Sequence, residues 1–218
     1  MCRQTPLRNS FRPAWRRLFS RGGGEIIRIR ITVSPFVNTF FEERLQDLFN
    51  LAARLEKAFH AAGIEYRVVG GLAAYLYIEQ TEADAGRLTK DIDIVVRRED
   101  LPRIQEAAET AGLELAGVDM LVQKGQPSAR RAIHMVFAGE KVRPEYSEPV
   151  AELGEDKRIQ GIPVIPLAGL VKMKLTSFRL KDQTHLKDLE EQGLITPEIE
   201  AGLPPLLRER LAHVRAQE

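Results

Sequence analysis

The sequence predicts a mixed α/β fold, in which a mixed central sheet is flanked by helices and followed by a helical extension at the C-terminal end. Short runs rich in β-branched residues alternate with longer stretches of helical periodicity, and the final fifty residues are helix-rich. A hydrophobic content of 44% over 218 residues is enough to bury one sizeable core. We therefore expect a leader over residues 1–35, an α/β core over 36–166 and a helical segment over 167–218 packed on that core.

The first thirty residues differ in composition from the rest. They contain eight arginines and one glutamate, whereas the whole chain has a formal net charge of only +1, so the remainder is mildly acidic. Three consecutive glycines and the lack of apolar periodicity favour a flexible basic leader, and an organellar presequence and an RNA-binding arm stay open as alternatives. A single cysteine, Cys2, indicates a reducing compartment. Since no run of 18 apolar residues occurs, we expect no membrane partner and a cytoplasmic location.

The remaining elements follow from periodicity and from turn residues. Apolar residues at near-3.6 spacing predict a helix that begins at Asn38 or Thr39 and ends at Gly63. Strands are expected over 65–69, 91–96, 113–122, 131–138 and 158–165, and further helices over 72–78, 100–111, 167–189 and 204–216. Residues 139–157 contain glycines and prolines and predict a long irregular loop of the kind that often lines sites.

Gly70 and Gly71 lie between a predicted strand and a predicted helix. Glycines at such a junction let the backbone approach a ligand closely. The N–H groups of the first helical turn, together with the helix dipole, favour an anion there. The junction therefore predicts a binding site for the phosphates of a nucleoside triphosphate.

Asp91 and Asp93 follow on the next predicted strand. Because side chains alternate across a strand, both carboxylates point to one face, with Cα atoms about 6.7 Å apart. Two like charges at this separation are tolerated when a divalent cation lies between them, and Mg²⁺ prefers oxygen ligands of this kind. The alternative is that both aspartates are solvent-facing charges at the end of a strand.

At these residues the chain resembles the DNA polymerase beta-like nucleotidyltransferase superfamily, and within it the minimal, toxin-like branch of AbiEii/AbiGii type. The motifs that carry the resemblance are Val69-Gly70-Gly71, the run 89–96, the run 165–175, Arg179 and Lys181-Asp182. The resemblance covers roughly residues 40–192. The resemblance implies a nucleotidyltransferase fold and an enzyme that uses Mg²⁺ to move a nucleoside monophosphate from an NTP to a hydroxyl.

The resemblance also implies a role for each matching residue. Asp91 and Asp93 are implied as catalytic metal ligands. Nucleotide binding is implied for the glycines and for a basic segment, namely Gly70, Gly71, Lys172, Lys174, Arg179, Lys181 and Asp182. In this scheme Lys172 or Lys174 braces the triphosphate, and Arg179 and Lys181 contact the acceptor. The alternative for the basic residues is an ordinary solvated helix face.

The chain departs from the family pattern at two histidines and in one spacing. His134, on the strand predicted beside the aspartates, occupies the place of a third catalytic carboxylate. An imidazole takes a proton or binds Mn²⁺ but suits Mg²⁺ poorly, so Mn²⁺ is the alternative cofactor. His185 replaces a second aspartate, in a helix that Asp182 is expected to cap with His185 as its third residue. Nineteen residues separate Gly71 from Asp91, which predicts an inserted loop over 79–90.

Three classes of function follow. The first is a nucleotidyltransferase whose acceptor is a tRNA, another RNA or a protein hydroxyl, with an antitoxin partner or a role in phage defence implied by the family. The second is a non-catalytic module of the same fold that binds a nucleotide, RNA or a partner protein, as the change at His134 would allow. The third is a structural or regulatory partner that uses the acidic body and the basic leader.

Overall fold

The structure of the chain is a computed structural model that describes residues 35–82, 86–87, 89, 91–125 and 132–217. The chain divides into two compact units, Met1–Glu42 and Glu43–Glu218. Of the first unit, the structure describes only the helical backbone of residues 35–42, so the predicted basic leader lies outside the described residues. Everything below concerns the second unit.

Seven helices and seven strands make up the described part of the chain. In order they are α1 (Pro35–Ala61), β1 (Tyr66–Val69), α2 (Gly70–Glu79), β2 (Ile92–Val96), a 3₁₀ turn (Arg98–Asp100), α3 (Leu101–Thr110), β3 (Leu113–Ala116), β4 (Met120–Gln123), β5 (Ile133–Phe137), β6 (Lys157–Ile159), β7 (Ile162–Val164), α4 (Leu167–Ser177), α5 (Leu180–Glu191), α6 (Pro197–Ala201) and α7 (Pro205–Ala216). Among these helices none is both long and apolar enough to cross a membrane.

The strands form one mixed sheet in the order β3-β4-β5-β2-β1-β7-β6. The pairs β1–β7 and β2–β5 are parallel, and the other four pairs are antiparallel. Strands β1 and β2, which carry the motifs singled out above, lie near the middle of the sheet. The predicted fold class, a mixed α/β fold with a central mixed sheet and flanking helices, is confirmed.

One cluster of buried side chains contains residues of the sheet, of the N-terminal helix α1 and of the C-terminal helices. Leu55 of α1, Val68 of β1, Leu175 of α4, Leu186 of α5 and Leu207 of α7 all belong to this cluster and are fully buried. Burial of one such leucine contributes roughly 1.5–3 kcal/mol. The C-terminal helices thus share the core of the sheet, while the domain boundary at residue 166 stays a prediction.

Three predicted elements are each divided in two. The strand predicted over 113–122 is a hairpin, with a turn over 117–119 in which Gly117 has a φ of 70°. The strand predicted over 158–165 is the β6–β7 hairpin, whose turn places Gln160 at a φ of 52°. The helix predicted over 167–189 breaks at Phe178, which has a φ of 49°. Gln160 and Phe178 adopt a left-handed conformation that favours glycine. Gly161 is a turn residue that the strand assignment overlooked, whereas no glycine or proline marks the break at Phe178.

The beginning of α5 also differs from the expectation. Arg179, and not Asp182, is the N-cap residue, and Asp182 is the third residue of the helix. The Asp182 carboxylate accepts a hydrogen bond from the backbone N–H of Arg179, which completes a capping box. His185 consequently lies in the second turn of α5, as its sixth residue, and not in the first turn.

Candidate active site

The junction of β1 and α2 has no loop, since β1 ends at Val69 and α2 begins at Gly70. Gly70 has a φ of +66°. The Cα of Gly70 lies against the side chain of Asp93, because a methyl group at this position would overlap the carboxylate and come within 2.9 Å of the Asp93 Cβ. Val69 and Asp93 are cross-strand partners in the β1–β2 pair, which accounts for the contact. Both the backbone angle and the neighbouring carboxylate therefore require glycine at position 70.

Gly71 is enclosed by two other segments. A methyl group at Gly71 would lie 2.7 Å from the Thr89 Oγ1 and 3.7 Å from the His185 Cε1. Thr89 also donates a hydrogen bond of 3.2 Å to the backbone carbonyl of Asp91. The glycine turn, the segment before β2 and helix α5 thus meet at one point. In the sequence Thr89 is the first residue of the motif over 89–96, and nothing in its position indicates the contact with Gly71.

Helix α2 begins without a side-chain cap. Its N-cap residue is Val69, which has no polar side-chain atom, and no side-chain cap hydrogen bond is formed. The first-turn N–H groups of a helix have no intrahelical partners. The N-terminus of α2 therefore offers backbone donors to an anion, as expected from the sequence.

Asp93 and His134 are cross-strand partners in the parallel pair β2–β5. Directly paired residues of neighbouring strands project to the same face of a sheet, so the two side chains lie side by side. Ile92 and Ile94, on the opposite face, are fully buried. The predicted juxtaposition of His134 with Asp93 is present in the structure, whereas its position relative to Asp91 and its catalytic role stay predictions.

Several charges act on Asp93. Burial raises the pKa of its half-buried carboxyl, and the negative charge of Asp91 acts in the same direction. Electrostatic interactions with His134, Lys181 and Lys174 oppose the rise. The structure therefore brings Asp91, Asp93, His134, Lys174 and Lys181 together around one carboxylate.

The Asp93 carboxylate receives no hydrogen bond from any residue that the structure describes. A desolvated carboxylate without a donor is unfavourable, and a bound cation relieves the cost. Asp91 and Asp93 supply the oxygen ligands that Mg²⁺ prefers, so these residues fit a divalent cation. Within the described ranges, no group of three or more His, Cys, Asp and Glu side chains is placed to hold a metal ion.

Lys174, on α4, is buried next to His185 and Asp182. Only 3% of the residue is exposed, and its Nζ lies 2.9 Å from the His185 Nδ1 and 3.8 Å from the Asp182 Oδ1. Burial lowers the pKa of Lys174 to about 8, although Asp182 and Asp93 counteract this with negative charge. Lys174 is thus a fixed internal cation and not part of a solvated helix face.

His185 is held neutral by its surroundings. Burial, followed by the positive charge of Lys174, lowers the pKa of His185 to about 4. A neutral imidazole has one acceptor nitrogen, and the short distance from the Lys174 Nζ assigns that role to Nδ1. Lys174 therefore donates to His185, whose Cε1 side faces Gly71.

Asp182 connects the end of α4 to the start of α5. Its buried carboxylate accepts hydrogen bonds of 2.7 Å from the Ser177 Oγ and 2.7 Å from the Arg179 Nε. Burial alone would raise the pKa of Asp182, but these hydrogen bonds and the charges of Lys174 and Arg179 outweigh it and lower the pKa. The Asp182 oxygens are used within the α4–α5 junction, so the structure gives this residue a structural role, and nucleotide binding by it stays a prediction.

Lys172 is the candidate that the structure separates from the others. Residues two apart in a helix point about 200° apart, so Lys172 and Lys174 lie on different faces of α4. The Lys172 Nζ lies 2.8 Å from a carboxylate oxygen of Glu148, in the predicted irregular loop. Of the two lysines considered for the triphosphate, Lys174 is the one that interacts with Asp93.

Two surface cavities, of about 260 Å³ and 300 Å³, are lined by other residues. The first lies at the opposite end of β1 and includes Tyr66 and Arg158, and the second lies along α5 and includes Leu180 and Lys187. Neither cavity includes Asp93. The candidate site around Asp93 is therefore distinct from both of these cavities.

No protein-family profile matches the chain, and no curated protein matches it. Solved structures to which it is similar are those of nucleotidyltransferases. The antibiotic-resistance factor ANT(2'')-Ia matches in a solution structure with 13% identity over 79% of this chain and 91% of that one, and a TM-score of 0.44. Its crystal structure with adenylyl-2''-tobramycin matches with 12% identity over 78% and 98%, and a TM-score of 0.47. A candidate nucleotidyltransferase from H. pylori matches with 14% identity over 79% and 92%, and a TM-score of 0.40. The AbiEii/AbiGii branch stays a prediction, and we base the functional proposal on the geometry of the site.

Proposed function

We propose that this chain is a metal-dependent nucleotidyltransferase, which moves a nucleoside monophosphate from an NTP to the hydroxyl group of an acceptor. The observation that carries the proposal is the contact between Gly70, at the uncapped N-terminus of α2, and the carboxylate of Asp93. A phosphate-binding turn and a carboxylate without a donor thus share one point of the sheet. The negative phosphates of an NTP would bind at the N-terminus of α2, and a divalent cation would bind at the Asp93 carboxylate.

The N-terminus of α2 is suited to the phosphates, because its free N–H groups and dipole favour an anion. Asp91 and Asp93 would hold the divalent cation, which when bound neutralises the charge of the triphosphate and of the transition state. Mg²⁺ is the expected ion, and Mn²⁺ is favoured if His134 joins the ligands. Lys174 and Lys181 add positive charge that acts on Asp93.

The transfer itself exchanges one phosphorus–oxygen bond for another. The acceptor oxygen forms a bond to the α-phosphorus, and the bond from the α-phosphorus to the bridging oxygen breaks, so that pyrophosphate leaves with the electron pair. The acceptor proton passes to the imidazole of His134, which lies beside Asp93 and stands where a third carboxylate would act as the base. Arg179 and Lys181, both exposed at the start of α5, are suited to contact the acceptor.

The finer parts of the proposal come from the resemblance of the motifs. The acceptor is an RNA, such as a tRNA end, or a protein hydroxyl. The setting is a toxin–antitoxin or phage-defence system of AbiEii type in the cytoplasm, with an antitoxin as partner.

The test is to incubate the purified chain with each of the four α-³²P-labelled NTPs, with Mg²⁺ or Mn²⁺, and with total RNA or cell extract. We expect a labelled RNA or protein with the wild-type chain and none with Asp93→Asn. Glu114→Gln, on the outer strand β3, is the matched carboxylate control and should label as the wild type does. Absence of a labelled acceptor would overturn the proposal of transfer, whether or not the chain binds NTP.

A second candidate is a non-catalytic module that binds an NTP without transferring it. The observation that favours it is His134 at the position paired with Asp93, because a site with two carboxylates and an imidazole lacks a ligand that nucleotidyl transfer normally uses. In the same experiment this candidate predicts saturable NTP binding, dependent on Asp93, with no labelled acceptor.

A further inference from the structure

The glycine turn at the start of α2 is approached by the ring of a histidine, His185 of α5. We propose that His185 binds the NTP at this turn by donating a hydrogen bond from its Nε2–H group to a phosphate oxygen, with Lys174 as its positioning residue. The inference rests on the proposed function. It adds a nucleotide-binding residue that the family pattern does not supply, because that pattern has an aspartate at position 185.

The ring of His185 lies between Lys174 and the glycine turn. Its Nδ1 is 2.9 Å from the Lys174 Nζ. Its Cε1 is 3.7 Å from the position that a methyl group at Gly71 would occupy. Because Cε1 is bonded to both ring nitrogens, Nε2 is adjacent to the atom that faces the turn. The nitrogen that Lys174 does not occupy is therefore the one available to a ligand at the turn.

The contact with Lys174 fixes which ring nitrogen carries the proton. An ammonium group has three donors and no acceptor, so the short contact requires an unprotonated Nδ1. In a neutral imidazole the proton is then on Nε2. Burial, followed by the positive charge of Lys174, keeps the ring neutral by lowering the pKa of His185 to about 4. His185 therefore presents a donor at Nε2 and not an acceptor.

The Nε2 donor has no partner in the part of the chain that the structure describes, where the one hydrogen bond of His185 is made through Nδ1. The residue is only partly buried, so the chain does not enclose the ring completely. The first-turn N–H groups of α2 are also donors without an intrahelical partner. Donors without partners on both sides of the turn favour an anion, and the phosphates of an NTP supply one.

The binding test compares two substitutions at position 185. His185→Asn keeps an oxygen that accepts from Lys174 but is too short to bring a donor to the place of Nε2, whereas His185→Gln carries an amide N–H group further out. With Mg²⁺ and a non-hydrolysable NTP analogue, we expect calorimetry to give a Kd about tenfold or more above that of the wild type for His185→Asn. His185→Gln should recover part of this loss. The matched control is His60→Asn, at an exposed histidine of α1, which should bind as the wild type does.

Two results would overturn the inference in different ways. Equal Kd values for the wild type and His185→Asn would leave the proposed function standing and give the contact between Lys174 and His185 a structural role alone. No binding of the analogue by the wild-type chain would overturn both the inference and the proposed function.

Nitrogen NMR of the wild-type chain, with its four histidines labelled with ¹⁵N, measures the tautomer directly. At pH 7 we expect a proton on the Nε2 of His185 and none on Nδ1, and a shift of the Nε2–H resonance when Mg²⁺ and the NTP analogue are added. Lys174→Met should remove the preference for this tautomer, a change that loss of stability alone would not produce. A proton on Nδ1, or an Nε2–H resonance that does not move when the nucleotide binds, would overturn the inference even if a variant fails to fold.

Discussion

Two polar clusters lie at opposite ends of strand β1, and they differ in whether their charged groups have partners within the chain. In the Arg158 cluster, formed by Glu56, Arg67, Asp156 and Arg158, the guanidinium groups are paired within the chain. Arg67 donates to three backbone carbonyls, and Arg158 donates to Glu56 at 2.6 Å and to Asp156 at 3.1 Å. In the site cluster, formed by Asp93, Lys174, Asp182 and His185, the carboxylate of Asp93 has no donor among the described residues. The charged groups of the Arg158 cluster have partners within the chain, whereas the Asp93 carboxylate is left without a donor and is available to a ligand.

The largest expected effect on the free energy of unfolding is at Asp182, whose carboxylate is fully hydrogen-bonded within the site cluster. Asp182→Asn removes the charge that balances Lys174 and Arg179 in a buried position. Breaking a buried ion pair costs about 3–5 kcal/mol, so we expect a loss of about 3 kcal/mol in the free energy of unfolding. Arg158→Met, in which a guanidinium with 40% side-chain exposure is removed, should cost about 1 kcal/mol or less. Urea denaturation of both variants makes the measurement, and equal losses would contradict the distinction between the clusters.

The pH dependence of stability should reveal the buried lysine. Below about pH 8 the buried Lys174 ammonium is charged in the folded chain, which costs desolvation free energy. Between pH 8 and the ordinary lysine pKa, Lys174 is neutral in the folded chain but still protonated in the unfolded chain. The free energy of unfolding should therefore rise with pH across this window. At about 1.4 kcal/mol per pKa unit, the rise is on the order of 3 kcal/mol.

The control for this prediction is Lys174→Met, which should lack the rise while other titrations remain. The difference between the two denaturation profiles, measured from pH 7 to 10, isolates the lysine. Parallel profiles would show that Lys174 titrates at its ordinary value and is not the internal cation described above.

The glycine turn provides a comparison of two left-handed residues. Gly70 and Gly161 both have positive φ, but a methyl group at Gly161 meets no atom within 4 Å, whereas one at Gly70 overlaps Asp93. Gly161→Ala should cost about 1–2 kcal/mol of stability from the backbone alone. We expect Gly70→Ala to cost more than this and to abolish NTP binding. Thermal denaturation and NTP titration check both parts, and a Gly70→Ala variant that binds normally would show that the contact with Asp93 is dispensable.

The smallest effect on stability is expected at the residue that matters most for function. Burial raises the pKa of Asp93, so its ionised form is less favourable in the folded chain than in the unfolded one. Asp93→Asn removes that charge with little change in shape, and the free energy of unfolding at pH 7 should stay equal or increase. Metal-dependent NTP binding should be lost. A clear loss of stability in calorimetry would mean that the carboxylate serves the fold.

The first half of the site could be predicted from the sequence because its residues lie in one short stretch. The glycines marked the turn that meets Asp93. The strand was predicted to begin at Asp91, but β2 begins at Ile92, so the placement of Asp91 and Asp93 on one face by alternation stays a prediction. The partner of Asp93 on the neighbouring strand, His134, followed from a single cross-strand register. These inferences need only local geometry and the pairing of two strands.

The other part of the site, formed by Lys174, Asp182 and His185, depends on tertiary packing, which a local sequence pattern does not predict. Lys172 and Lys174 are equivalent in the sequence, and which one is buried is decided by how α4 packs against α2, α5 and α7. The break at Phe178 was not predicted because neither glycine nor proline occurs there. That break allows Asp182 and His185 to turn back towards Lys174.

The last long helix has a consequence for the order in which the site is completed during synthesis. Arg210 of α7 donates hydrogen bonds of 2.7 Å and 2.8 Å to the carbonyls of Leu175 and Thr176, the residues next to Lys174. Its guanidinium also stacks over the ring of Phe178 at the break between α4 and α5. A growing polypeptide contains both aspartates more than a hundred residues before it contains Arg210. A ribosome-bound chain can therefore build the sheet and its carboxylates early, while the helix that holds the lysine is locked in place only when residues 205–216 have emerged.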